Sequence, residues 1–285
     1  MSVSQVSVVL PLFGDHCAKE ALPAVCRAWL QQDVPCEVVV AVAAGTTVPP
    51  LGDGALDGRI RIVPADRGSI SPGPLRNLAV SASRAPLLYL GDADVAPLGG
   101  DFTGRALELL ENRAVVQPWM YRLVNPDDVA SWPPFERPGP GRACHVSVDA
   151  QGRLVPVGSE RFTWRTPEMM EVKPPPGVGW RKEDGTPWRA SPFHWGGILL
   201  RREIFDAVGG YCARYVGWGC EDDDLIAKLE GRVGIVRAWK VAPRRLACLH
   251  FEHPRRHESA HIRANLAIQA ERFAAGVDAM IEEDR

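Results

Sequence analysis

Apolar residues in the first 115 positions fall into two alternating patterns. Short continuous runs rich in Val, Leu and Ile predict buried strands over residues 6–13, 37–45, 58–66 and 86–95. Apolar residues at helical spacing predict helices over residues 17–32, 74–85 and 101–113. This order of elements is typical of an α/β protein with a doubly wound, mostly parallel central sheet. In such sheets, ligands bind at the carboxyl ends of the strands, where the strand order reverses.

The pattern changes in residues 125–192, which hold 12 of the 25 prolines and four of the nine tryptophans, namely Trp132, Trp164, Trp180 and Trp188. A segment of this length without predictable elements is usually functional or disordered. Because disordered segments contain few aromatic residues, we expect an ordered Pro/Trp-rich insertion that packs on or over the site. Its tryptophans either line an acceptor cleft or pack within the insertion.

Regular patterns return after the insertion. A strand and a short helix are predicted over 193–211, and a further helix begins in the acidic run near 221. Two more strands follow, and a final amphipathic helix is predicted over about 258–283.

Composition narrows the class of protein. The 285 residues are 46% hydrophobic and 24% charged, with a net charge of −2, so nothing indicates a nucleic acid or an anionic membrane as partner. The seven cysteines form no CxxC pair, which favours a reducing compartment over a disulfide framework. No apolar run approaches the ~20 residues of a membrane helix. We therefore expect a cytoplasmic protein without an integral membrane segment.

Two carboxylates, Asp92 and Asp94, follow the fourth predicted strand in the segment "LGDADV". Hard cations such as Mg²⁺ and Mn²⁺ prefer oxygen ligands and are often shared between carboxylates and a substrate diphosphate. A DxD pair also occurs in ordinary solvated loops. Its position at a strand end in a doubly wound pattern favours a metal site.

A group of histidines lies in "CLHFEHPRRH". His250 follows an apolar run and should lie at a strand end, where it can act as a metal ligand. His253 and His257 fit surface positions in a basic, proline-containing loop better. Whether His250 or His253 is the ligand stays open at this point.

The segment "GWGCEDDDLI" places four consecutive acids, Glu221 to Asp224, after Trp218 and its two flanking glycines. Acids at a helix start offset the positive end of the helix dipole, which explains one or two of them. A carboxylate held there also stays ionised and can act as a general base. The flat face of Trp218 offers a surface for a sugar ring.

Together these segments resemble the family-2 glycosyltransferases of the GT-A fold, a Rossmann-like nucleotide-sugar-binding fold. "VSVVLPLF" looks like the opening strand of that family, and "GPLRNLAVSASRAPLLYLGDADV" looks like its Arg-Asn helix and metal-binding strand. "GGILLRREIFDAVGGYCARYVGWGCEDDDL" is similar to the carboxyl half of the inverting galactosyl- and N-acetylgalactosaminyltransferases. The similarity extends to about residue 257.

For the donor side, the resemblance implies a nucleotide-sugar site with Mn²⁺ or Mg²⁺. Asp94 would bind the metal, His250 would complete its site, and Asp92 would hold the ribose or sugar while contributing to the metal region. Arg76 would line the donor pocket. The backbone wall and the donor contacts would also include Pro11, Leu12 and Ala93.

For the acceptor side, the resemblance implies that Asp222 is the base that deprotonates the acceptor hydroxyl. Glu221 would hydrogen-bond the acceptor, and Trp218 would contact the sugar. Asp223 and Asp224 would be helix-start residues. The remaining substrate contacts would come from Trp195, Gly196, Gly197 and Gly219.

One departure concerns the nucleotide base. The family usually has an acidic residue at the end of the second strand, whereas this chain has Ala43 and Ala44. Either Asp66, at the end of the third strand, takes over the contact, or the donor is not a uridine nucleotide. UDP-sugars are the favoured donors.

The predicted organisation is a single domain over 1–257, with a nucleotide-binding half (1–115) and an acceptor-binding half (116–257), followed by a C-terminal helix (258–285). The predicted reaction is an inverting transfer to the hydroxyl of a small hydrophilic acceptor. The alternatives are a nucleotidyltransferase, a metal-free sugar hydrolase and a non-catalytic sugar-binding protein. The first of these would need a glycine-rich basic loop, and "PLFGDHCAKEA" is a poor one.

Overall fold

Seven strands form the central sheet of the protein. The structure, a computed structural model, describes residues 4–14, 18–51, 58–66, 71–124, 144–148, 154–157, 170–172, 188–193, 197–237, 246–251 and 261–285. The first strands are β1 (Val6–Leu12), β2 (Cys36–Val42), β3 (Ile60–Pro64) and β4 (Leu87–Leu90). They are all parallel, in the order β3-β2-β1-β4. The order therefore reverses between β1 and β4.

The chain then continues through β5 (Val95–Pro97), β6 (Val115–Gln117), β7 (Trp119–Val124), β8 (Cys144–Val148), β9 (Leu154–Val157), β10 (Met170–Val172), β11 (Trp188–Phe193), β12 (Ile198–Arg201), β13 (Val236–Arg237) and β14 (Ala247–His250). The central sheet is completed in the order β4-β12-β6-β13, with β12 antiparallel to both neighbours. A second seven-stranded sheet has the order β5-β14-β7-β11-β10-β8-β9.

Helices cover both faces of the central sheet. They are α1 (Ala18–Leu30), α2 (Pro72–Ala82), α3 (Phe102–Leu110), α4 (Arg202–Ala207), α5 (Glu221–Arg232), α6 (Ile262–Ala275) and α7 (Val277–Asp284). Alternate residues of β1 and β2 point to opposite faces, so Val8 and Val38 pack with Trp29 of α1, whereas Val9 and Val39 pack with Leu75 of α2. None of the helices that the structure describes is both long and apolar enough to cross a membrane.

The doubly wound, mostly parallel sheet predicted from the sequence is confirmed, with three differences in detail. The third strand is not buried like the first two, because β3 lies at the sheet edge and its residues alternate between half-buried and exposed. The final helix is two helices, α6 and α7, because Gly276 separates them with a positive φ of 88°. The insertion contains strands β8 to β11, although most of its residues lie outside those described.

Pro11 lies at the point where the strand order reverses, between β1 and β4. β4 pairs with β1 only as far as Val9, and the amide of Gly91 donates the last hydrogen bond, to the Val9 carbonyl at 3.0 Å. Pro11 therefore lies beyond the end of β4, where its missing N–H costs no ladder hydrogen bond. None of the described strands pairs with the last residues of β1 on the β4 side, which is the position where ligands bind in doubly wound sheets.

Candidate functional site

Arg76 is the central side chain of the candidate site. It extends from α2 to the end of β4, where its Nε donates to the Gly91 carbonyl at 3.2 Å and its Nη2 pairs with Asp92. Its Nη1 donates to Oδ1 of Asp222 at 3.2 Å and lies 3.8 Å from Oε1 of Glu221. Only 2% of Arg76 is exposed. One buried guanidinium thus connects acids from two distant parts of the chain.

Tyr211 lies on the other side of the guanidinium. The Arg76 Cζ is 5.2 Å from the centroid of the Tyr211 ring, and the Tyr211 hydroxyl donates to Oδ1 of Asp222 at 3.2 Å. Asn77 binds both backbone groups of Tyr211, at 2.8 and 2.9 Å, and so fixes the ring against α2. The sequence analysis missed Tyr211 and Asn77, because only the three-dimensional fold brings them to the acids.

The two site carboxyls at the start of α5 share one cationic neighbour. Burial raises the pKa of Glu221 to about 8, and the negative charge of Asp222 adds to this rise. Burial also raises the pKa of Asp222, against the opposing effects of Arg76 and the Tyr211 hydroxyl. Because Asp222 has the closer contact with Arg76 and its side chain is 29% exposed, against 3% for Glu221, it is the carboxyl that ionises more readily. The arrangement favours one ionised and one protonated carboxyl at neutral pH.

A loop with three positive φ angles precedes these acids. Gly217 and Gly219 have φ values of 68° and 112°, and Cys220, which caps α5, has a φ of 73° that is unusual for a non-glycine residue. The φ of Gly219 is one that residues with a side chain rarely adopt, and a Cβ there would also lie 2.6 Å from Cδ1 of Ile262, so glycine is strongly favoured. The loop presents Trp218 with 51% of its surface exposed. Trp218 is therefore accessible to a ligand, and its contact with a sugar stays a prediction.

Asp94 and His250 form the candidate metal centre. Oδ2 of Asp94 lies 3.7 Å from Nε2 of His250, and both residues are buried. The backbone fixes this approach, because β14 pairs with β5 and the Phe251 amide donates to the Asp94 carbonyl at 2.8 Å. A carboxylate oxygen and an imidazole nitrogen suit a divalent cation that takes its other ligands from a diphosphate and water.

Asp92 has a different neighbour, since its carboxylate pairs with Arg76. Consistent with this, the described parts of the chain contain no group of three or more His, Cys, Asp or Glu side chains arranged for a metal. The residues thus fit a two-ligand metal site at Asp94 and His250, with Asp92 paired to Arg76 instead. His253 and His257 lie outside the described residues.

The other predicted donor residues occupy the same end of the sheet. Pro11, Leu12 and Ala93 are all buried, and Pro11 lies beyond the end of the neighbouring strand β4. Asp66 is exposed two residues beyond β3, next to the end of β2, where the Ala65 amide donates to the Val42 carbonyl at 2.8 Å. Asp66 therefore follows β3, the strand adjacent to β2, after which Ala43 and Ala44 lie.

Of the predicted substrate residues preceding β12, Trp195 and Gly196 lie outside the described residues. Gly197 is buried with a φ of 72°, and a Cβ there would lie 2.5 Å from the hydroxyl of Tyr89. A side chain at this position would collide with the core beneath the site, so the packing of the core accounts for the glycine.

The last acid of the run has a structural role that the sequence analysis did not identify. Asp224 is fully buried and accepts hydrogen bonds from Tyr215 at 2.9 Å and from Arg272 of α6 at 2.6 and 3.1 Å. Asp223 has a weaker contact, at 3.5 Å, with Gln269. Asp224 is thus the anchor of α5 against the C-terminal helices. No sequence signal marks Arg272 as its partner, since 48 positions separate them.

Comparisons with known proteins agree with this architecture. Residues 188–254 match a family model described as the N-terminal domain of galactosyltransferase. The crystal structure of GalNAc-T7 with UDP, GalNAc and Mn²⁺ matches 95% of this chain and 48% of its own, with a TM-score of 0.56 and 14% identity. The chain therefore spans about half the length of that protein. No curated protein sequence matches the chain.

Two further structures match with TM-scores below 0.5. One is the mannosyltransferase PcManGT from Pyrobaculum calidifontis with GDP-Man and Mn²⁺, with a TM-score of 0.49, 11% identity and coverage of 100% of this chain and 74% of its own. The other is the catalytic domain of Drosophila beta1,4galactosyltransferase 7 with xylobiose, with a TM-score of 0.47, 14% identity and coverage of 94% and 80%. The chain therefore has the GT-A fold that the GalNAc-T7 structure has, and its residues 188–254 are similar to the N-terminal domain of galactosyltransferase.

Proposed function

We propose that the chain is a divalent-metal-dependent, inverting glycosyltransferase that moves a sugar from a nucleotide-sugar donor to an acceptor hydroxyl. The observation that supports this most directly is the contact of Arg76 with both Asp92 at the end of β4 and Asp222 at the start of α5. It brings a donor-side acid and an acceptor-side acid to one crevice. The residues that match the galactosyltransferase family model, 188–254, also lie within the proposed acceptor half, 116–257.

The donor diphosphate would lie at Asp94 and His250. These residues would hold a divalent cation, Mn²⁺ or Mg²⁺, whose chemistry when bound is to neutralise charge on the leaving diphosphate. Asp92 would accept hydrogen bonds from the ribose or the sugar, and its pairing with Arg76 orients it for that contact. The open edge at Pro11 and Leu12 would form the wall of the nucleotide base site. The GalNAc-T7 structure, which contains UDP and Mn²⁺, supports this assignment of ligands by its fold.

On the acceptor side, Asp222 would act as the general base. It takes the hydroxyl proton while the acceptor oxygen forms a bond to the anomeric carbon and the bond from that carbon to the diphosphate breaks. The transition state resembles an oxocarbenium ion, as in glycosidases. Arg76 and Tyr211 favour the ionised form of Asp222. One carboxylate on the acceptor side suits a single displacement, so the product would have the inverted configuration.

Glu221 and Trp218 would bind the acceptor. The Gly219 amide donates to Oε2 of Glu221 at 2.9 Å, which orients the carboxyl. A protonated Glu221 can donate a hydrogen bond to an acceptor oxygen, and Trp218 can stack on a sugar face. These polar and aromatic contacts favour a small hydrophilic acceptor, such as a sugar.

A uridine nucleotide is the donor we favour, with Asp66 as its base contact. The adjacent end of β2 carries alanines, whose side chains cannot hydrogen-bond a base, and Asp66 is the exposed acid on the next strand. Replacement of Asp66 by Ala should weaken UDP binding while leaving Mn²⁺ dependence intact.

The donor site is tested by thermal shifts with nucleoside diphosphates and nucleotide sugars, with and without Mn²⁺. A ligand at a hundred times its Kd should add ~2.7 kcal/mol of stability. We expect a shift with UDP that requires Mn²⁺, that is lost in Asp94→Ala and that persists in Glu108→Ala, which changes an exposed acid on α3. The absence of a shift with every nucleotide would refute the glycosyltransferase assignment. A retained anomeric configuration in the product, measured by NMR, would refute the role of Asp222.

A further inference from the structure

Asn265 of α6 binds the backbone of the loop that carries Trp218. Its Oδ1 accepts a hydrogen bond from the Val216 amide at 3.2 Å, and its Nδ2 donates to the carbonyls of Val216 at 3.0 Å and Gly219 at 3.1 Å. Only 1% of Asn265 is exposed. One side-chain amide therefore pairs with both ends of the loop, as a neighbouring strand would.

The loop needs such support because its conformation is intrinsically unfavourable. Three of its residues, Gly217, Gly219 and Cys220, have positive φ angles, and this costs free energy for the non-glycine Cys220. Besides Asn265, its backbone is bound by the Ser71 hydroxyl, 2.9 Å from the Gly217 amide, and by Glu221 at the Gly219 amide. Ser71 belongs to the start of α2 and Glu221 to α5, so Asn265 supplies the contact from the C-terminal side.

The same helix also holds α5. Arg272 lies two turns after Asn265, on the same face of α6, and binds the buried carboxylate of Asp224 with two hydrogen bonds. Asp224 is two residues after Asp222. The loop that carries Trp218 and the helix α5, which carries Asp222, are thus both attached to α6. Helix α6 lies outside residues 188–254, which match the galactosyltransferase family model.

We propose that Asn265 is a positioning residue for the acceptor side of the site. By fixing Val216 and Gly219, it sets the distance between the Trp218 ring and the carboxyls of Glu221 and Asp222. The proposal rests on the function proposed above. A residue that only attached α6 to the domain would affect stability, but it would not alter acceptor binding separately from donor binding.

The test compares Asn265→Ala and Asn265→Ser with wild type and with Arg263→Ala, which changes an exposed residue on the same helix. Ser keeps a polar group at this position but is too short to bind Val216 and Gly219 together. It is the variant to use if Ala unfolds the protein. Donor binding is measured with UDP and Mn²⁺. A panel of UDP-sugars and p-nitrophenyl monosaccharides is screened for a donor and an acceptor that wild type uses. Acceptor KM and kcat are then measured with that pair for every variant. Amide hydrogen exchange is measured in peptides covering 213–220.

We expect acceptor KM to rise about tenfold in Asn265→Ala, the effect of one or two lost hydrogen bonds that hold the bound geometry. UDP affinity should stay within about twofold of wild type, and exchange in 213–220 should increase about tenfold. Asn265→Ser should show smaller changes in the same direction, and Arg263→Ala none. Unchanged acceptor KM, or equal losses of UDP and acceptor affinity, would overturn the positioning role. If wild type binds no nucleotide, the proposed function fails instead. The exchange data then still show whether Asn265 holds residues 213–220 in place.

Discussion

The buried cluster around Arg272 allows a quantitative prediction about stability. Its guanidinium binds Asp224 at 2.6 and 3.1 Å and the carboxylates of Glu283 and Asp284 at 2.6 Å each. The side chains of Asp224 and Asp284 are 0% and 4% exposed. In Arg272→Met, a side chain of similar length occupies the space, and these two carboxylates lose their main partner.

Removing one partner of a buried ion pair typically costs ~3–5 kcal/mol, because the remaining charge is left without compensation. Here Lys228 still contacts Asp284 and lies 3.9 Å from Asp224, which favours the lower end of this range. We therefore expect Arg272→Met to lower the free energy of unfolding by ~3 kcal/mol. Since whole domains are stable by only ~5–15 kcal/mol, this loss should be large in urea titrations.

The matched control is Arg232→Met. The Arg232–Asp278 pair joins α5 and α7 at 3.5 Å, but its side chains are 54% and 92% exposed. An exposed pair of this kind contributes ~0–1 kcal/mol. The double variant Asp224→Asn/Arg272→Met removes one of the uncompensated charges and should recover part of the loss. A loss below ~1 kcal/mol in Arg272→Met, or strictly additive effects in the double variant, would refute this explanation.

Three further predictions concern the site. Asp222→Asn should lower kcat by ~10²–10⁴, the usual contribution of a positioned general base, while UDP and Mn²⁺ still produce a thermal shift; residual turnover near wild type would contradict its role. Trp218→Ala should raise acceptor KM in steady-state assays and change stability by less than ~0.5 kcal/mol, because the side chain is half exposed. The pKa of Glu221 is about 8 in the fold against a usual 4.5, so its contribution to stability is full below pH 4.5 and is lost as pH rises towards 8. Urea unfolding at pH 5 and pH 8 should therefore show a smaller pH dependence in Glu221→Gln than in wild type.

The sequence predicted the central sheet well because its strands are continuous apolar runs. β1 and β2 are buried at every position, so that burial dictates their composition. The prediction was wrong for β3, since a strand at a sheet edge can carry the same residue types with half the burial. The break at Gly276 was also missed. A single glycine in a helical pattern indicates a break only weakly. Here the break allows α7 to pack against α5, where Lys228 pairs with Asp284.

For the site, the sequence indicated the acids but not what surrounds them. Asp92, Asp94 and Glu221 to Asp224 stand out as carboxylates beside strand or helix ends. The residues around them do not, apart from Arg76, which the family resemblance indicated. Tyr211 binds Asp222 and Asn265 binds Gly219, and only the fold brings these pairs together across 11 and 46 positions. Asp222 contacts Arg76 and Asp224 contacts Arg272, and this difference depends on which side of α5 faces α6. A run of identical residues does not reveal which of them faces which side.

The N-terminal turns of α2 serve both proposed substrate sites. The Ser71 hydroxyl accepts a hydrogen bond from the Gly217 amide in the loop that carries Trp218. Arg76, five residues later, pairs with Asp92 on the proposed donor side. A substitution that shifts this end of the helix would therefore alter both specificities together. Directed evolution towards a new acceptor should succeed more readily through surface positions such as Trp218 than through α2, where each change must satisfy two ligands at once.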